Sequence, residues 1–166
     1  MSLYSVDKLI TETRRIASEY RKATGKILPV TPEIAINDAI SILKLTPNND
    51  NRLPYDAVME RDGKKIRIQV KGRAIFNEKK QGHRIGQLKL EQDWDAIVLV
   101  IMDEEFFPQE LYMASRDVIM NELEGKDSSQ NRKGAMTIAK FKVIADLVWT
   151  AEGGLQQEGV WSNQPE

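Results

Sequence analysis

Apolar residues recur at helical spacing in the first quarter of the chain. From Val6 to Lys22 they alternate with charges in the pattern of an amphipathic helix, and Gly25 is placed to end it. Thr31-Pro32-Glu33 then combines an N-cap residue, a proline at the first helical position and an acid in the first turn. A second helix is therefore predicted from Thr31 to about Leu45.

The middle of the chain has the patterns of strands. Two alternating runs between Pro54 and Phe76 flank an Asp-Gly pair, Asp62-Gly63, which is the strongest short signal for a β-hairpin. The run Ala96–Met102 is continuously apolar, so it predicts a central strand that is covered on both faces. Residues 77–93 between them are polar and predict a loop.

The last third predicts one more strand and one more helix. Glu110–Met113 is typical of a strand, and Ser115 can cap a helix that runs to Glu124. Residues 135–149 fit either a short strand followed by a helix or a single helix.

These elements predict an α/β fold of one domain. The order along the chain is helix, hairpin, buried central strand, a further strand and helix. With 166 residues, one domain is expected over 1–152, with an N-terminal helix in 1–26, a core in 31–124 and a tail in 153–166.

The hairpin register predicts which side chains share a face. If Arg61 pairs with Lys64 across a two-residue turn, Asp56 lies opposite Gln69, and Lys71 lies one step further along the same face. The core face then carries Tyr55, Ala57, Met59, Ile66, Ile68 and Val70, and the polar face carries Asp56, Val58, Glu60, Lys65, Arg67, Gln69 and Lys71.

The predicted convergence of Asp56, Gln69 and Lys71 suggests a metal-binding site. A carboxylate and an amide oxygen are ligands for a hard cation such as Mg²⁺, and a lysine beside them can hold a water or a phosphate. Gly72 would let another backbone or a phosphate approach closely. The alternative interpretation is a solvated sheet face with no ligand.

Charge and composition narrow the function classes. The chain has no cysteine, so disulfides, thiolate metal sites and a cysteine nucleophile are excluded. The net charge is -1, yet the segment from Arg61 to Glu91 holds ten Lys or Arg against three acids, which suits a phosphate backbone. The candidate nucleic-acid contacts are Arg73, Lys79, Lys80, His83, Arg84 and Lys89. A solvated lysine-rich surface is the alternative.

At these residues the sequence resembles the PD-(D/E)XK, or restriction-endonuclease-like, superfamily. Asp56 in Pro54-Tyr55-Asp56 matches the strand aspartate, Gln69-Val70-Lys71 matches the second half of the motif, and Glu33 resembles the helix acid of Holliday-junction-resolvase-like members. The resemblance covers roughly 31–124. It implies a three-layer α/β core of αβββαβ-type order, in which helices flank a mixed central sheet and the antiparallel hairpin leads. It departs from the pattern at Gln69, where an acid is more usual.

The resemblance implies a metal-dependent endonuclease that hydrolyses phosphodiester bonds, most often in DNA, with Mg²⁺ or Mn²⁺ as cofactor. Asp56, Gln69, the Val70 carbonyl and Glu33 would bind the metal, and Lys71 would orient or activate the nucleophile. Two alternatives stay open: Glu33 favours the helix dipole only, or the chain is a non-catalytic nucleic-acid-binding or assembly module on the same fold.

The segment starting at Met1 lacks a signal-peptide pattern, and the longest apolar run is too short to span a bilayer. A cytoplasmic protein without a membrane segment is therefore expected, and a homodimer is compatible with the resemblance.

Overall fold

Four helices and nine strands make up the part of the chain that the computed structural model describes, which is residues 5–76, 84–124 and 135–156. The helices are α1 Val6–Thr24, α2 Thr31–Leu43, α3 Arg116–Glu124 and α4 Ile138–Ile144. The strands are β1 Thr46–Pro47, β2 Ala57–Arg61, β3 Lys64–Ala74, β4 Arg84–Gln87, β5 Ala96–Met102, β6 Pro108–Ser115, β7 Ala135–Thr137, β8 Asp146–Thr150 and β9 Gly154–Leu155.

The main sheet is mixed. Its seven strands lie in the order β1-β2-β3-β5-β6-β8-β9, and β3 and β5 are parallel whereas the other neighbours are antiparallel. Strands β4 and β7 pair with each other in a separate two-stranded sheet. The predicted mixed central sheet with a leading antiparallel hairpin is confirmed.

Helices cover both faces of this sheet. On one face, Val98 and Val100 of β5 pack with Ile34 and Ala35 of α2 and with Ala17 of α1. On the other face, the alternate β5 residues pack against α3, α4 and the β4–β7 pair; this second core consists of Ile85, Leu88, Trp94, Ile97, Leu99, Ile101, Ala114, Ile119, Leu123, Met136, Ile138 and Phe141. Every residue of β5 is buried, so the three-layer prediction is confirmed.

Local chemistry explains where the helices begin and end. Gly25 closes α1 with a φ of 73°, a left-handed conformation that glycine adopts without strain. The N-cap of α2 is Val30 rather than Thr31, with Pro32 in the first turn as predicted. The Ser115 hydroxyl accepts a hydrogen bond from the Val118 N–H at 3.3 Å and caps α3.

The hairpin has the predicted register. Arg61 pairs with Lys64, and the turn residues Asp62 and Gly63 have φ angles of 52° and 78°. The prediction for Tyr55 is wrong, because Tyr55 packs against the second core and Ala57 against the first. Alternation fails there since the chain bends at Asp56 and enters the strand only at Ala57.

The structure adds elements where the pattern was indistinct. Strand β4 lies inside the segment predicted as a loop, and 135–149 forms a strand, a helix and then most of β8. Strand β9 pairs with β8, so the sheet extends into the segment expected to be a tail. Among the described residues, no helix combines the length and apolar character that crossing a bilayer requires.

Candidate metal-binding and catalytic site

Asp56 lies at the edge of β3 where β2 has not yet begun. Its backbone N–H donates to the Ile68 carbonyl at 2.8 Å, although Ile68 already pairs with Ala57. The regular register, which would have placed Asp56 opposite Gln69, therefore ends at Ala57, and that predicted pairing is wrong. Its Oδ2 accepts a hydrogen bond from the Val70 N–H at 2.8 Å. The carboxylate therefore occupies the position that a further β2 residue would take beside Val70.

The side-chain amide of Gln69 is buried, and its Nε2 has a hydrogen-bond partner whereas its Oε1 has none among the described residues. Its Nε2 donates to the Pro54 carbonyl at 2.6 Å, and this contact fixes which end of the amide points where. Its Oε1 is buried and has no hydrogen-bond partner among the residues that the structure describes. An unsatisfied buried acceptor costs about 1–3 kcal/mol, so such an atom requires an explanation.

The Val70 carbonyl points to the same edge as the Asp56 carboxylate. In a strand, the N–H and C=O of one residue point to the same side, and the Val70 N–H points to Asp56. The Gly72 carbonyl, two residues on, accepts a hydrogen bond from a side chain, the Arg73 guanidinium, at 2.6 Å. This part of β3 thus presents backbone oxygens beyond the end of β2.

Lys71 lies beside these oxygens on the face predicted from the hairpin. It is half-buried on β3, opposite Leu99 of β5. Burial lowers the pKa of its ammonium; Arg73 and Lys89 lower it further, while the Asp56 carboxylate opposes the shift. Lys71 and Asp56 are therefore close enough to interact electrostatically.

Glu33 reaches the site through the position of α2. A Cβ added to Gly72 would overlap the Cβ of Ala35 and would lie 3.5 Å from the Thr31 carbonyl, so the first turns of α2 lie directly on β3. Glu33 is exposed in that first turn and interacts electrostatically with Asp56. The close approach predicted at Gly72 is real, and the partner is a helix.

The other acid of α2 has a different task. Both Asp38 oxygens accept hydrogen bonds from Arg14 of α1, at 2.7 and 3.0 Å, and both side chains are largely buried. Arg14 also donates to the Phe106 carbonyl. Asp38 joins helices, which leaves Glu33 as the α2 acid near the hairpin.

Burial and neighbouring charges both act on the Asp56 carboxyl. Burial raises the pKa of the Asp56 carboxyl and Glu33 raises it further, while the Val70 N–H and Lys71 lower it. Because burial is the largest cause, the shift favours the protonated carboxyl in the metal-free protein, and a cation bound at Asp56 would compete with that proton.

The donor set fits a hard, oxygen-preferring metal. It contains the Asp56 carboxylate, the unpartnered Gln69 Oε1 and the Val70 carbonyl, with Glu33 nearby. No group of three His, Cys, Asp or Glu side chains that could hold a metal occurs in 5–76, 84–124 and 135–156. A metal here would therefore depend on amide and backbone oxygens.

The candidate nucleic-acid contacts separate into three groups. Arg84 and Lys89 are exposed, and Lys89 interacts electrostatically with Lys71. Arg73 is half-buried, and its guanidinium donates to backbone carbonyls. Three others lie outside the described residues: Lys79, Lys80 and His83.

Two contacts at the site were not predicted from the sequence. The Pro54 carbonyl holds Gln69, although proline in the motif gave no sign of it. Arg67, on the same face, forms an ion pair with Asp95 at 3.0 Å instead of facing solvent alone. A basic residue on a strand followed by an acid at the start of its parallel neighbour is the signal that could have suggested the second contact.

No protein-family model matches the chain, and no curated protein matches it. Among solved structures it is similar to that of a bacterial homing endonuclease, I-Ssp6803I, with 25% sequence identity and a TM-score of 0.40. The match covers 54% of this chain and 65% of that one, so the chain spans less than two thirds of the endonuclease. Endonuclease activity is a property of that protein; for the present chain, the geometry of the site has to support a function.

Proposed function

We propose that this chain is a metal-dependent endonuclease of the PD-(D/E)XK type that hydrolyses phosphodiester bonds in DNA. The observation that carries the proposal is the buried, unpartnered Oε1 of Gln69. Gln69 lies on β3 next to Val70, whose N–H donates to the Asp56 carboxylate, and two residues before Lys71. On a solvated sheet face this amide oxygen would be exposed to water. In a metal site it has to be free of protein hydrogen-bond donors so that it can bind the metal.

The proposed ligands are Asp56, Gln69 Oε1, the Val70 carbonyl and Glu33. Bound there, Mg²⁺ or Mn²⁺ would act as a Lewis acid on the phosphate and lower the pKa of a bound water. Asp56 supplies the carboxylate that is fixed by a backbone N–H, and Gln69 supplies a neutral oxygen fixed by Pro54. Glu33 adds the second negative charge from α2.

Lys71 acts on the substrate. Its ammonium can donate hydrogen bonds to the scissile phosphate or to the attacking water. Because burial already lowers its pKa, moving a proton between this nitrogen and a reacting water costs less than it would for a lysine in solution.

A polyanionic substrate agrees with the charges around the site. Arg73 and Lys89 lie close enough to Lys71 to lower its pKa, and Arg84 is exposed on the neighbouring β4. Positive charge at this density favours a phosphate backbone as partner. Homodimer formation and a cytoplasmic location stay predictions from the sequence.

The test is cleavage of plasmid, single-stranded and branched DNA in Mg²⁺ or Mn²⁺. Wild type is expected to cut, and Asp56→Asn and Lys71→Met are expected to lose at least about a hundredfold in rate. Asp7→Asn on α1 and Lys65→Met near the hairpin turn are matched controls, because both residues are exposed and distant from the site.

The outcomes separate enzyme from module. Cutting that survives both site variants would contradict the assignment of Asp56 and Lys71. Wild type that binds DNA without cutting it in either metal would favour the non-catalytic module, for which the neutral Gln69 in place of an acid is the supporting observation.

A further inference from the structure

Arg73 is held by backbone contacts on two strands. It lies on β3 two residues beyond Lys71, and its Nη1 donates to the Gly72 carbonyl at 2.6 Å. Its Nε donates to the Arg84 carbonyl of β4 at 2.7 Å. The guanidinium therefore connects β3 of the main sheet to β4 of the separate two-stranded sheet.

Gly86 makes room for this connection. A Cβ at Gly86 would lie 2.7 Å from Arg73 Nη2, and its φ of +95° is one that residues with side chains rarely adopt. The guanidinium thus lies directly against the Gly86 backbone. Arginine at 73 and glycine at 86 fit each other.

The β4–β7 ribbon, defined here as Arg84–Gln87 with Ala135–Thr137, borders the proposed site. Its Ile85 and Met136 are buried in the second core, which fixes the inner side of the ribbon. Just beyond β4, Lys89 interacts electrostatically with Lys71. The segment from Arg84 to Lys89 therefore runs past Lys71, and Arg73 holds its first half.

We propose that Arg73 is a positioning residue: through Gly72, Arg84 and Gly86 it fixes the β4–β7 ribbon beside Lys71, and the ribbon forms one wall of the nucleic-acid groove. This inference rests on the proposed nuclease function and gives that site its substrate-binding element. It also revises the role suggested by the sequence, where Arg73 was a direct phosphate contact.

Geometry distinguishes the two roles. A phosphate contact needs guanidinium donors that face solvent, whereas Arg73 directs Nε and Nη1 at carbonyls of the protein itself. Lysine has no planar fork and cannot make both contacts in the same way. A charge-only role would therefore tolerate lysine, and a positioning role would not.

The experiment measures binding of a fluorescein-labelled DNA duplex in Ca²⁺, turnover in Mg²⁺, and hydrogen exchange of the Arg84–Gln87 amides. Arg73→Lys, Arg73→Met and Gly86→Ala are expected to weaken DNA binding about tenfold and raise KM with little change in kcat. The same variants should speed β4 exchange. Gly154→Ala is the matched control, since its φ is +70° and no atom lies within 4 Å of the added Cβ.

A double-mutant cycle tests the coupling. Arg73→Met with Gly86→Ala should lose less DNA affinity than the sum of the two single losses, because the clash with Arg73 is already gone and only the strain of alanine at a φ of +95° is added. Wild-type affinity in Arg73→Lys, or unchanged β4 exchange in Arg73→Met, would overturn the positioning role. If wild type neither binds nor cuts DNA, the proposed function fails. Faster amide exchange of β4 in the Arg73 variants would still show that Arg73 fixes the β4–β7 ribbon.

Discussion

Gln69 meets two opposite requirements with one side chain. Its Nε2 donates to the Pro54 carbonyl, which a carboxylate cannot do, and its Oε1 has no protein partner among the described residues, which the proposed metal site requires. A glutamine satisfies both at the loss of one negative charge. The hydrogen bond to Pro54 thus gives a structural reason for a neutral residue at 69.

Gln69→Glu tests this reasoning. Without metal, the variant should lose about 1–3 kcal/mol of stability, because a second buried carboxylate then faces Asp56 and the Pro54 carbonyl loses its donor. With Mg²⁺, its melting temperature should rise more than that of wild type, and its metal affinity should increase about tenfold.

Thermal melts with and without Mg²⁺ check both expectations. Gln92→Glu is a control for the added charge, since Gln92 lies on the loop after β4 and is outside the site. Equal Mg²⁺ responses in wild type and both variants would mean that Gln69 is not a ligand.

Asp56→Asn should stabilise the metal-free protein at neutral pH. The pKa of Asp56 is raised above its usual 3.8, chiefly by burial, so the folded protein keeps this proton to higher pH than the unfolded chain. Wild-type stability therefore falls as pH rises from the unfolded value through the folded one. Asparagine at 56 lacks this loss and can still accept from Val70.

Urea unfolding at several pH values measures the difference. The advantage of Asp56→Asn should be present at pH 7 and vanish below about pH 3, where the aspartate is protonated in both states. Added Mg²⁺ should reverse the order by stabilising wild type alone. A variant less stable than wild type at pH 7 without metal would contradict the cause assigned to the shift.

The sequence predicted the positions of those site residues that the pairing of β2 with β3 fixes. The Asp-Gly turn sets the hairpin register as far as Ala57–Ile68, and strand alternation places Gln69 and Lys71 on one face of β3. Asp56 lies beside them through the hydrogen bond from the Val70 N–H, outside that register. The Pro54 contact and the packing of Tyr55 were not predictable, because residues 54–56 lie outside regular strand geometry. Alternation describes a strand only as far as the strand runs.

At the scale of elements, α2 packs closely on β3 because Gly72 has no side chain. Gly72 allows Ala35 to reach the strand backbone, and this contact places Glu33 near Asp56. A glycine inside a strand weakens the strand itself, so its value here lies in the close helix packing.

Gly72→Ala should therefore disturb both stability and the site. The added methyl overlaps Ala35 and lies 3.3 Å from Met102, and overpacking of this kind costs about 1–3 kcal/mol. Because α2 must move, the influence of Glu33 on Asp56 should weaken and metal affinity should fall.

The exchanged pair provides the control. Ala35→Gly combined with Gly72→Ala moves the methyl from helix to strand and should recover metal affinity, with a remaining loss of about 1 kcal/mol from glycine in a helix. Chemical unfolding and metal titration measure the two effects. An exchanged pair no better than Gly72→Ala alone would contradict the packing argument.

Long or strongly patterned elements were predictable and short ones were not. β5 is seven consecutive buried apolar residues, and its bounds match the prediction. β4 has four residues, with a glycine at positive φ and basic neighbours, so its composition suggests a loop. Its strand conformation depends on β7, which follows it by almost fifty residues in the sequence.

At the scale of the molecule, the apolar layers hold the fold together and the basic residues lie at the proposed site. The sheet and its two apolar cores hold the frame, and the Arg14–Asp38 pair fixes α1 to α2 beneath it. The basic segment of the sequence contributes β3 and β4, which lie next to each other at the site. The sequence showed that the basic residues are close together along the chain. That β3 and β4 bring them together in space depends on the fold.

The proposed metal would bind where Asp56, Gln69 and Val70 present oxygens. Anomalous diffraction from crystals soaked in Mn²⁺ locates such a metal directly. We expect one strong manganese peak at about 2.1 Å from an Asp56 carboxylate oxygen, Gln69 Oε1 and the Val70 carbonyl. A peak elsewhere on the protein with none at these atoms, or Gln69 Oε1 occupied by a protein donor, would contradict it.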